Sequence, residues 1–393
     1  MRILIVASEL PPGPGGIGSH AAALAGQLVR RGHVVDVVAA QDYADDAEIA
    51  SWTERQPFDV VRLGRSSLPG AAGSAATALA RLAMLRRRLR SFTPDLVVAS
   101  GERMVWLTAL LSLTERLSPP PWLAIGHGIE LGAPRSLRGR ISRRAFSRAN
   151  AVVCVSEHTR GAAERTGVTA RLEVIPNGAD EERFAPLADT VEADAFRRRH
   201  GLGSSRLLVT VGHLSRRKGQ DLVVAALPAL AARHDVIYLA IGLPTLRPQL
   251  EAQAAELSVG DRLRCPGVLP DDEVRLALAV ADLFVMTSRS TADGDFEGYG
   301  IAVVEAALCG TPSVVAGASG LVEAVDGGAT GAIVPPDDSH AVAEVVGALL
   351  SDEDRRHTLG EEARRRALGE KTWTRRVDRY EALFRELVEG RAR

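Results

Sequence analysis

The chain has 393 residues, of which 46% are hydrophobic and 25% charged, enough apolar material for two globular domains. Its formal net charge is −1, so no overall basic field is present to hold a nucleic acid. The apolar run within residues 1–7 is too short for a secretory signal or a membrane span. The three cysteines are far apart within apolar runs, which favours core thiols in a reducing cytoplasm over a disulfide or a metal site; they are Cys154, Cys265 and Cys309.

Short β-branched runs alternate with longer helical patterns through both halves of the chain. The first half has the predicted strands RILIVAS, VVDVVAA, DVVRL, DLVVASG, WLAIGHG and AVVCVSE, with helices over 19–31 and 77–91. The second half has RLLVTVG, VIYLAIG, LRCPGV, LFVMTS, PSVVAG and GAIVP, with helices over 220–233, 247–257, 301–309 and 339–350. This alternation without hairpins predicts an α/β protein with two doubly wound domains, each a parallel sheet covered on both faces.

A domain boundary is predicted near residues 175–180, where Pro-Asn-Gly supplies turn chemistry. Residues 181–205 are charged and aperiodic, which is typical of a connection. Residues 372–387 carry apolar side chains at helical spacing and predict a terminal amphipathic helix. The predicted domains are therefore 1–178 and 179–371, followed by that helix.

Two glutamates flank a glycine-rich turn at the start of a predicted helix. Glu297 follows the strand LFVMTS, EGYG supplies the turn, and the helix begins near Ile301. A helix start offers unpaired N–H groups and a positive dipole end, which suit a phosphate. Glu305 lies further along the helix among apolar residues, where an unpartnered carboxylate is costly. The two carboxylates therefore favour a site for sugar and ribose hydroxyls over two solvated surface charges.

Cations cluster in a second loop, between the predicted strand RLLVTVG and the helix at 220. The loop carries His213, Arg216, Arg217 and Lys218. Positive charge held here would stabilise a leaving diphosphate. The alternative is that these residues only solvate a turn.

Two motifs match the patterns of a dinucleotide site and a metal site, and we interpret neither as such a site. GPGGIG at residues 13–18 fits the dinucleotide pattern G-x-G-x-x-G, but its prolines make the loop longer and stiffer than that turn. Residues 293–295 read D-G-D, which fits a D-x-D metal-binding motif, and ordinary turn chemistry accounts for them. We expect neither a bound dinucleotide nor a metal.

Two arginine-rich stretches remain. One is the predicted helix 77–91 and the other is residues 135–148. Each stretch suits contact with anionic lipid or an anionic acceptor. The favoured interpretation of both stretches is the solvated face of a packed helix, and the core strand that follows the first stretch supports it there.

The ordered motifs resemble the retaining glycosyltransferases of the GT-B fold, and more narrowly family 4, which includes the bacterial phosphatidylinositol mannosyltransferases. They are GG-x-G-x-H at 15–20, VSEHTR at 155–160, VIPNGAD at 174–180, G-x-L-x-x-x-KG-x-D from 212, EGYG…EA…CGTP from 297 and the helix at Trp373. The resemblance covers nearly the whole chain. It implies two Rossmann-like domains facing a cleft, with the acceptor on the N-terminal domain and the nucleotide sugar on the C-terminal one. It also implies that the terminal helix crosses back to the first domain.

The resemblance also assigns residues to the donor. Lys218 would bind the diphosphate, Glu297 the sugar and Glu305 the ribose hydroxyls. The backbone amides of three residues would bind the distal phosphate; they are Tyr299, Gly300 and Ile301. Catalytic roles would fall to Glu297, Lys218 and a histidine of the first domain, His127, beside the reacting carbon.

Further positions complete the implied donor site. Gly16 would approach the phosphate from the first domain, and the backbone at Val268 would meet the base. His213 departs from the resemblance, because the family usually has arginine there, and Arg217 or Arg216 would then complete the phosphate clamp. The implied reaction needs no metal or other cofactor, and the proton of the acceptor goes to a donor phosphate oxygen.

The sequence leaves several alternatives open. The donor is a UDP- or GDP-hexose, and the acceptor is a small molecule or a lipid, with peripheral membrane contact in the latter case. A nucleotide-sugar 2-epimerase of the same architecture and a catalytically weak nucleotide-sugar-binding protein are the rival functions. The oligomeric state is not predicted.

Overall fold

The computed structural model describes residues 1–13, 15–40, 45–64, 70–114, 120–131, 136–291, 294–317 and 319–392. The chain forms two units. The first comprises Met1–Pro176 with Arg376–Arg393, and the second comprises Asn177–Arg375. The predicted α/β class is confirmed, since each unit is a parallel sheet with helices.

The first unit is built on a seven-stranded sheet in the order β3-β2-β1-β4-β5-β6-β7. Its strands are β1 (Arg2–Ala7), β2 (Val34–Ala40), β3 (Asp59–Leu63), β4 (Leu96–Ser100), β5 (Trp122–Gly126), β6 (Ala151–Cys154) and β7 (Arg171–Val174). Its helices are α1 (Gly16–Arg30), α2 (Asp46–Glu54), α3 (Gly70–Phe92), α4 (Glu102–Thr114), α5 (Leu137–Phe146) and α6 (Glu157–Thr166).

The second unit is built on a six-stranded sheet in the order β10-β9-β8-β11-β12-β13. Its strands are β8 (Arg206–Val211), β9 (Val236–Ile241), β10 (Leu263–Gly267), β11 (Leu283–Met286), β12 (Ser313–Ala316) and β13 (Gly331–Val334). Its helices are α7 (Thr190–Arg199), α8 (Gln220–Ala231), α9 (Arg247–Glu256), α10 (Asp271–Val280), α11 (Ile301–Leu308), α12 (Leu321–Ala324), α13 (Ser339–Ser351) and α14 (Glu353–Glu370). The last helix, α15 (Trp373–Ala392), begins in this unit and continues into the first.

Burial explains why the central strands read as continuous apolar runs. In β1, every residue after Arg2 is buried, because β2 and β4 pair with it on either side and helices cover both faces. In β8, the core positions are equally closed to solvent. The predicted strands at these places are confirmed.

One prediction about the connections is wrong, and one strand was not predicted. Residues 181–205 are not an aperiodic link, since they contain α7, which begins at an Asp189 cap and buries Phe196 completely. Strand β7 was not predicted, because it is a half-buried edge strand with charged residues and no apolar run. The three cysteines are buried and unpaired, as expected.

The terminal helix α15 packs on the first unit through polar contacts with α1, with the loop between α1 and β2, and with β7. Tyr380 lies 3.1 Å from the His20 ring, and Glu381 pairs with His33 at 2.8 Å. Glu386 pairs with Arg171 of β7. Within the described ranges, no helix has the length and apolar character that a membrane crossing requires.

Candidate active site

A buried ion-pair cluster lies at the carboxyl ends of β8 and β11 in the second unit. Lys218 Nζ is 2.6 Å from Glu297 Oε2, and Arg217 contacts the same carboxylate. Arg217 Nε is also 3.1 Å from Asp295 Oδ2. The structure thus brings together Lys218, Arg217 and Glu297 from loops 80 residues apart. Ligands of open α/β sheets bind at this edge.

The cation loop is held in place by its own helix and by β11. The Gln220 side chain accepts from the Ser215 N–H at 3.3 Å and donates to the His213 carbonyl at 3.1 Å. Thr287, just after β11, donates to the Gly219 carbonyl at 2.6 Å. These contacts fix the short 3₁₀ turn Arg216–Lys218, so Lys218 and Arg217 present their charges to the next loop.

Arg289 provides a second brace behind the cluster. Its guanidinium pairs with Asp221 at 3.0 Å and with Asp337 at 2.6 Å, and it donates to the Arg216 carbonyl at 3.2 Å. Its backbone N–H donates to the Arg217 carbonyl at 2.8 Å. The loop after β11 is therefore tied to the loop after β8 independently of the cluster itself.

The electrostatics of the cluster keep Glu297 ionised. Burial alone would raise the pKa of Glu297, but the charges and hydrogen bonds of Lys218 and Arg217 outweigh it and hold the pKa at about 2. Burial lowers the pKa of Lys218, and the adjacent Glu297 carboxylate opposes this shift without reversing it. A lysine paired with an ionised glutamate can hold an anionic ligand on one side and hydroxyl groups on the other.

The helix α11 begins four residues after Glu297, at a cap residue whose backbone conformation only glycine adopts easily. Gly300 caps the helix with φ of 88°, and Tyr299 before it is buried. The chain here packs on Gly320, where a Cβ would lie 1.8 Å from the Gly298 carbonyl oxygen. Gly300 and Ile301 stand at the amino end of the helix, which is a favourable place for a phosphate.

Glu305 lies on α11 apart from the ion-pair cluster. In the described part of the chain, no cation lies within ion-pair distance of its carboxylate. Burial raises its pKa to about 7, the charge of Arg183 opposes this shift, and Asp271 and Asp180 add to it. The structure therefore does not pair Glu305 with Lys218, and it leaves the carboxyl near its titration point at neutral pH.

The raised pKa makes Glu305 a source of pH-dependent instability. A folded-state pKa of about 7, above the usual 4.5, means that the folded protein loses stability as the pH rises from 4.5 through 7. We expect Glu305→Gln to stabilise the protein by about 2 kcal/mol at pH 8.5 and hardly at pH 5. Melting temperatures at both pH values measure this, with Glu361→Gln on the exposed face of α14 as control. A stabilisation that is equal at both pH values would contradict the assignment.

Two further predicted donor residues lie at the same sheet edge. His213 follows β8, is exposed, and its Nε2 is 2.6 Å from Thr245 Oγ1. Burial, with the charges of Arg217 and Lys218, lowers its pKa. Val268 follows β10, with 58% of its surface exposed. Neither takes part in the ion-pair cluster, so their predicted contacts with phosphate and base stay predictions.

In the first unit, Gly16 is the first residue of α1 and is exposed. A Cβ at Gly16 would meet no atom within 4 Å, so open space lies in front of it. The next two amides, of Ile17 and Gly18, donate to the carboxylate of Glu9, whose pKa burial raises. The positive end of α1 thus already faces one internal carboxylate, which the sequence analysis did not anticipate.

His127 follows β5, as predicted, and is held from two sides. Its Nε2 is 2.9 Å from Ser100 Oγ, and its backbone N–H and that of Gly128 donate to Glu130 at 3.2 and 3.0 Å. Burial lowers the pKa of His127 to about 4, so the ring is neutral at physiological pH. It meets the His20 ring edge-on at 5.1 Å.

The residues that hold the site residues in place were not predicted from the sequence. Asp295 was interpreted as turn chemistry, whereas it pairs with Arg217. Gln220, Arg289 and Glu130 gave no motif, although Glu130 three residues after His127 is a spacing typical of a carboxylate that caps a loop. Asp293 and Pro14, within the D-G-D and G-x-G-x-x-G motifs, lie outside the described residues. Among the described residues, no group of histidine, cysteine and carboxylate side chains has the arrangement of a metal site.

Known proteins with similar sequences and folds now define the class. Residues 192–366 match the family "Glycosyl transferases group 1", and residues 14–183 match "Glycosyltransferase Family 4". A GDP-mannose-dependent α-(1-6)-phosphatidylinositol monomannoside mannosyltransferase of Mycolicibacterium smegmatis is 32% identical over 99% of this chain and 98% of its own. The protein with the same name from Mycobacterium tuberculosis is 33% identical over 91% of each chain.

Solved structures agree on the fold. HepE of Anabaena, solved with UDP and glucose, superposes with a TM-score of 0.81 at 22% identity, over 98% of this chain and 100% of its own. Sucrose-phosphate synthase of Thermosynechococcus elongatus superposes with a TM-score of 0.82 at 20% identity, over 99% and 100%. Fold and sequence together define a nucleotide-sugar glycosyltransferase of the GT-B fold. The chain belongs to glycosyltransferase family 4, the group 1 glycosyltransferases.

Proposed function

We propose that the protein transfers a hexosyl group from a UDP- or GDP-sugar to a hydroxyl acceptor, with retention at the anomeric carbon. The observation that carries the proposal is the pairing of Lys218 and Glu297 directly before the amino end of α11. The mannosyltransferase names of the two mycobacterial relatives make GDP-mannose the first donor to test. The UDP complex of HepE makes UDP-glucose the second.

In this proposal the second unit binds the donor. The diphosphate lies at the backbone amides of Tyr299, Gly300 and Ile301, with Lys218 as its counter-charge. Glu297 accepts hydrogen bonds from sugar hydroxyls, and Glu305 accepts from the ribose. Lys218, the nearby arginines and the amides at the start of α11 stabilise the leaving group in this proposal, and the reaction needs no metal.

The first unit binds the acceptor and supplies His127. A neutral ring held by Ser100 and by the Glu130-braced loop can hydrogen-bond to the sugar without adding charge at the reacting carbon. Gly16, in open space at the start of α1, leaves room for phosphate oxygens. In this proposal the proton of the acceptor hydroxyl goes to an oxygen of the leaving phosphate, as the family resemblance implies.

Incubation with each donor, with and without a lipid extract as acceptor, tests the proposal. Release of nucleoside diphosphate that depends on acceptor, with an α-linked product from an α-linked donor, is the expected result. An epimerised sugar from donor alone would favour the 2-epimerase instead. Binding of donor with no turnover on any acceptor would favour a binding protein.

A lipid acceptor is supported by one face of the first unit. Twelve large hydrophobic residues of the described chain are exposed, and six of them lie on α3, α4 and α5. We call this the apolar–arginine face; its apolar members are Leu79, Met84, Leu110, Leu113, Leu137 and Ile141. Helices α3 and α5 together carry nine arginines and no acidic residue. Apolar side chains among arginines fit an anionic membrane surface.

An open groove on this face combines both features. Leucines and arginines of α3 and one leucine of α4 make up most of its lining. The lining residues are Leu79, Leu82, Ala83, Arg86, Arg87, Arg90, Ser91 and Leu111. Arg138 on α5 is engaged by Glu102 at 2.7 Å, while Arg140, Arg143 and Arg144 are exposed along the same helix. We propose that the protein contacts the inner, cytoplasmic leaflet of a membrane through the apolar–arginine face.

Vesicle binding is expected to depend on this face. The protein should sediment with phosphatidylcholine vesicles that contain about 30% phosphatidylserine and not with pure phosphatidylcholine. The double variant Leu113→Gln/Leu137→Gln should weaken that binding about tenfold or more. The control Leu257→Gln/Leu368→Gln removes two exposed leucines of the second unit and should bind like the wild type. Equal loss in both double variants would contradict the proposed face.

A further inference from the structure

His213 stands beside the ion-pair cluster at the carboxyl ends of two strands. It follows Gly212, the residue after β8, where a Cβ would lie 3.3 Å from Lys218 Cε. Its ring is held by Thr245, which follows β9, at 2.6 Å from Nε2. The ring is thus held by one hydrogen bond and is exposed to an incoming ligand. It lies close enough to Arg217 and Lys218 for their charges to act on it.

The charges of the cluster cancel before any ligand binds. Arg217 and Lys218 carry two positive charges, and Asp295 and Glu297 carry two negative charges that pair with them. Arg289, behind the cluster, is likewise held by two carboxylates. A diphosphate in the donor linkage brings about two further negative charges. The paired side chains offer no excess positive charge to balance them. The balance is therefore left to the exposed Arg216 of the same loop, to helix amides and to a group that can gain a proton.

The charged groups that act on His213 in the ligand-free protein are both positive; they are Arg217 and Lys218. Burial, with the charges of Arg217 and Lys218, lowers the pKa of its imidazole, so the ring is neutral at physiological pH. Thr245 is uncharged, and the nearby Arg247 of α9 is paired with Glu251 at 2.7 Å. A diphosphate beside Lys218 reverses the sign of the local field and favours the imidazolium form. Glu305 on α11 is the other group of the proposed donor site that titrates near neutrality.

We infer that His213 is the titratable member of the phosphate clamp, and that binding of the donor's diphosphate adds one proton to its ring. This inference rests on the proposed function. The proton comes from solvent. In the imidazolium form, Nε2–H donates a hydrogen bond to Thr245 Oγ1, and Nδ1–H donates to a phosphate oxygen. Donor affinity therefore falls as the pH rises through the pKa that His213 has in the complex. The limiting change is tenfold in Kd per pH unit.

Isothermal titration calorimetry with GDP-mannose and UDP-glucose tests the inference. Intact nucleotide sugars are used because the terminal phosphate of a free nucleoside diphosphate itself titrates near pH 6. Binding heats at pH 7.5 in two buffers of different ionisation enthalpy give the number of protons taken up. The wild type should take up close to one proton, and its Kd should rise about fivefold or more between pH 7 and pH 8.5.

Variants assign the proton to its group. His213→Arg supplies a fixed charge and should bind with neither proton uptake nor pH dependence. His213→Gln should bind about tenfold more weakly than the wild type at pH 7, with no pH dependence. His340→Gln, with 82% of its side chain exposed on α13, should behave like the wild type. Glu305→Gln should keep the proton uptake, which separates the histidine from the carboxyl.

Uptake that persists in His213→Arg, or a wild type that binds donor without uptake, would overturn the inference and leave the proposed function standing. A wild type that binds neither nucleotide sugar would contradict the proposed function, and this inference with it.

Discussion

Replacing Lys218 with methionine is expected to lower kcat/KM for the nucleotide sugar by roughly 10²–10³-fold. Lys218 Nζ lies 2.6 Å from the Glu297 carboxylate, whereas Arg217 is shared between Glu297 and Asp295. The variant loses the charge of Lys218 at the place where the diphosphate leaves. Glu297 keeps Arg217 as a partner, so the loop should stay folded. Steady-state kinetics with saturating acceptor measure the effect.

The chain offers a matched control, because it has only one other lysine. Lys371 donates to the Ala324 carbonyl at 2.6 Å and has a structural role. Lys371→Met should lower the melting temperature and leave kcat/KM within a factor of about three at a temperature where the protein is folded. Activity of Lys218→Met at the level of Lys371→Met would remove Lys218 from the site.

Glu297→Gln is expected to cut kcat by roughly 10²-fold with a smaller change in donor KM. The amide retains the size of the side chain but no longer balances two buried cations, so the sugar-facing group and the lysine both lose their fixed positions. Breaking a buried ion pair from one side typically costs about 3–5 kcal/mol. Because the pairs with Lys218 and Arg217 leave 11% of the Glu297 side chain exposed, the lower end of that range applies.

The loss of stability expected in Glu297→Gln depends on pH. The pKa of Glu297 is depressed to about 2 from its usual 4.5, so its contribution is complete above pH 4.5 and is lost as the pH falls towards 2. The wild type should therefore exceed Glu297→Gln in melting temperature at pH 7, and by much less at pH 3. Glu353→Gln, which breaks an exposed pair with Arg206, should change neither stability nor kcat. A Glu297→Gln variant with normal turnover would refute the role of the carboxylate.

Local sequence was sufficient for the parts of the site that share one loop. Glu297, the glycines after it and the start of α11 are close in sequence, and each residue type is dictated by turn or helix-end geometry. The cations before α8 could be found in the same way. Strands β1 and β8 were predictable because burial on both faces demands an unbroken apolar run.

Contacts between distant loops were not predictable from one sequence. Asp295 and Arg217 are 78 positions apart, and nothing local distinguishes that aspartate from an ordinary turn residue. The same holds for Arg289 and for Glu9 at the start of α1. Helix α7 was missed because only Phe196 of its residues is buried, so its apolar periodicity is weak.

A crystal structure of the protein with an intact nucleotide sugar is the most direct test of the donor site. We expect diphosphate oxygens within about 3 Å of Lys218 Nζ and of the backbone N–H groups of Gly300 and Ile301. The sugar should lie against Glu297. A diphosphate bound elsewhere, with Lys218 still paired only with Glu297, would contradict it.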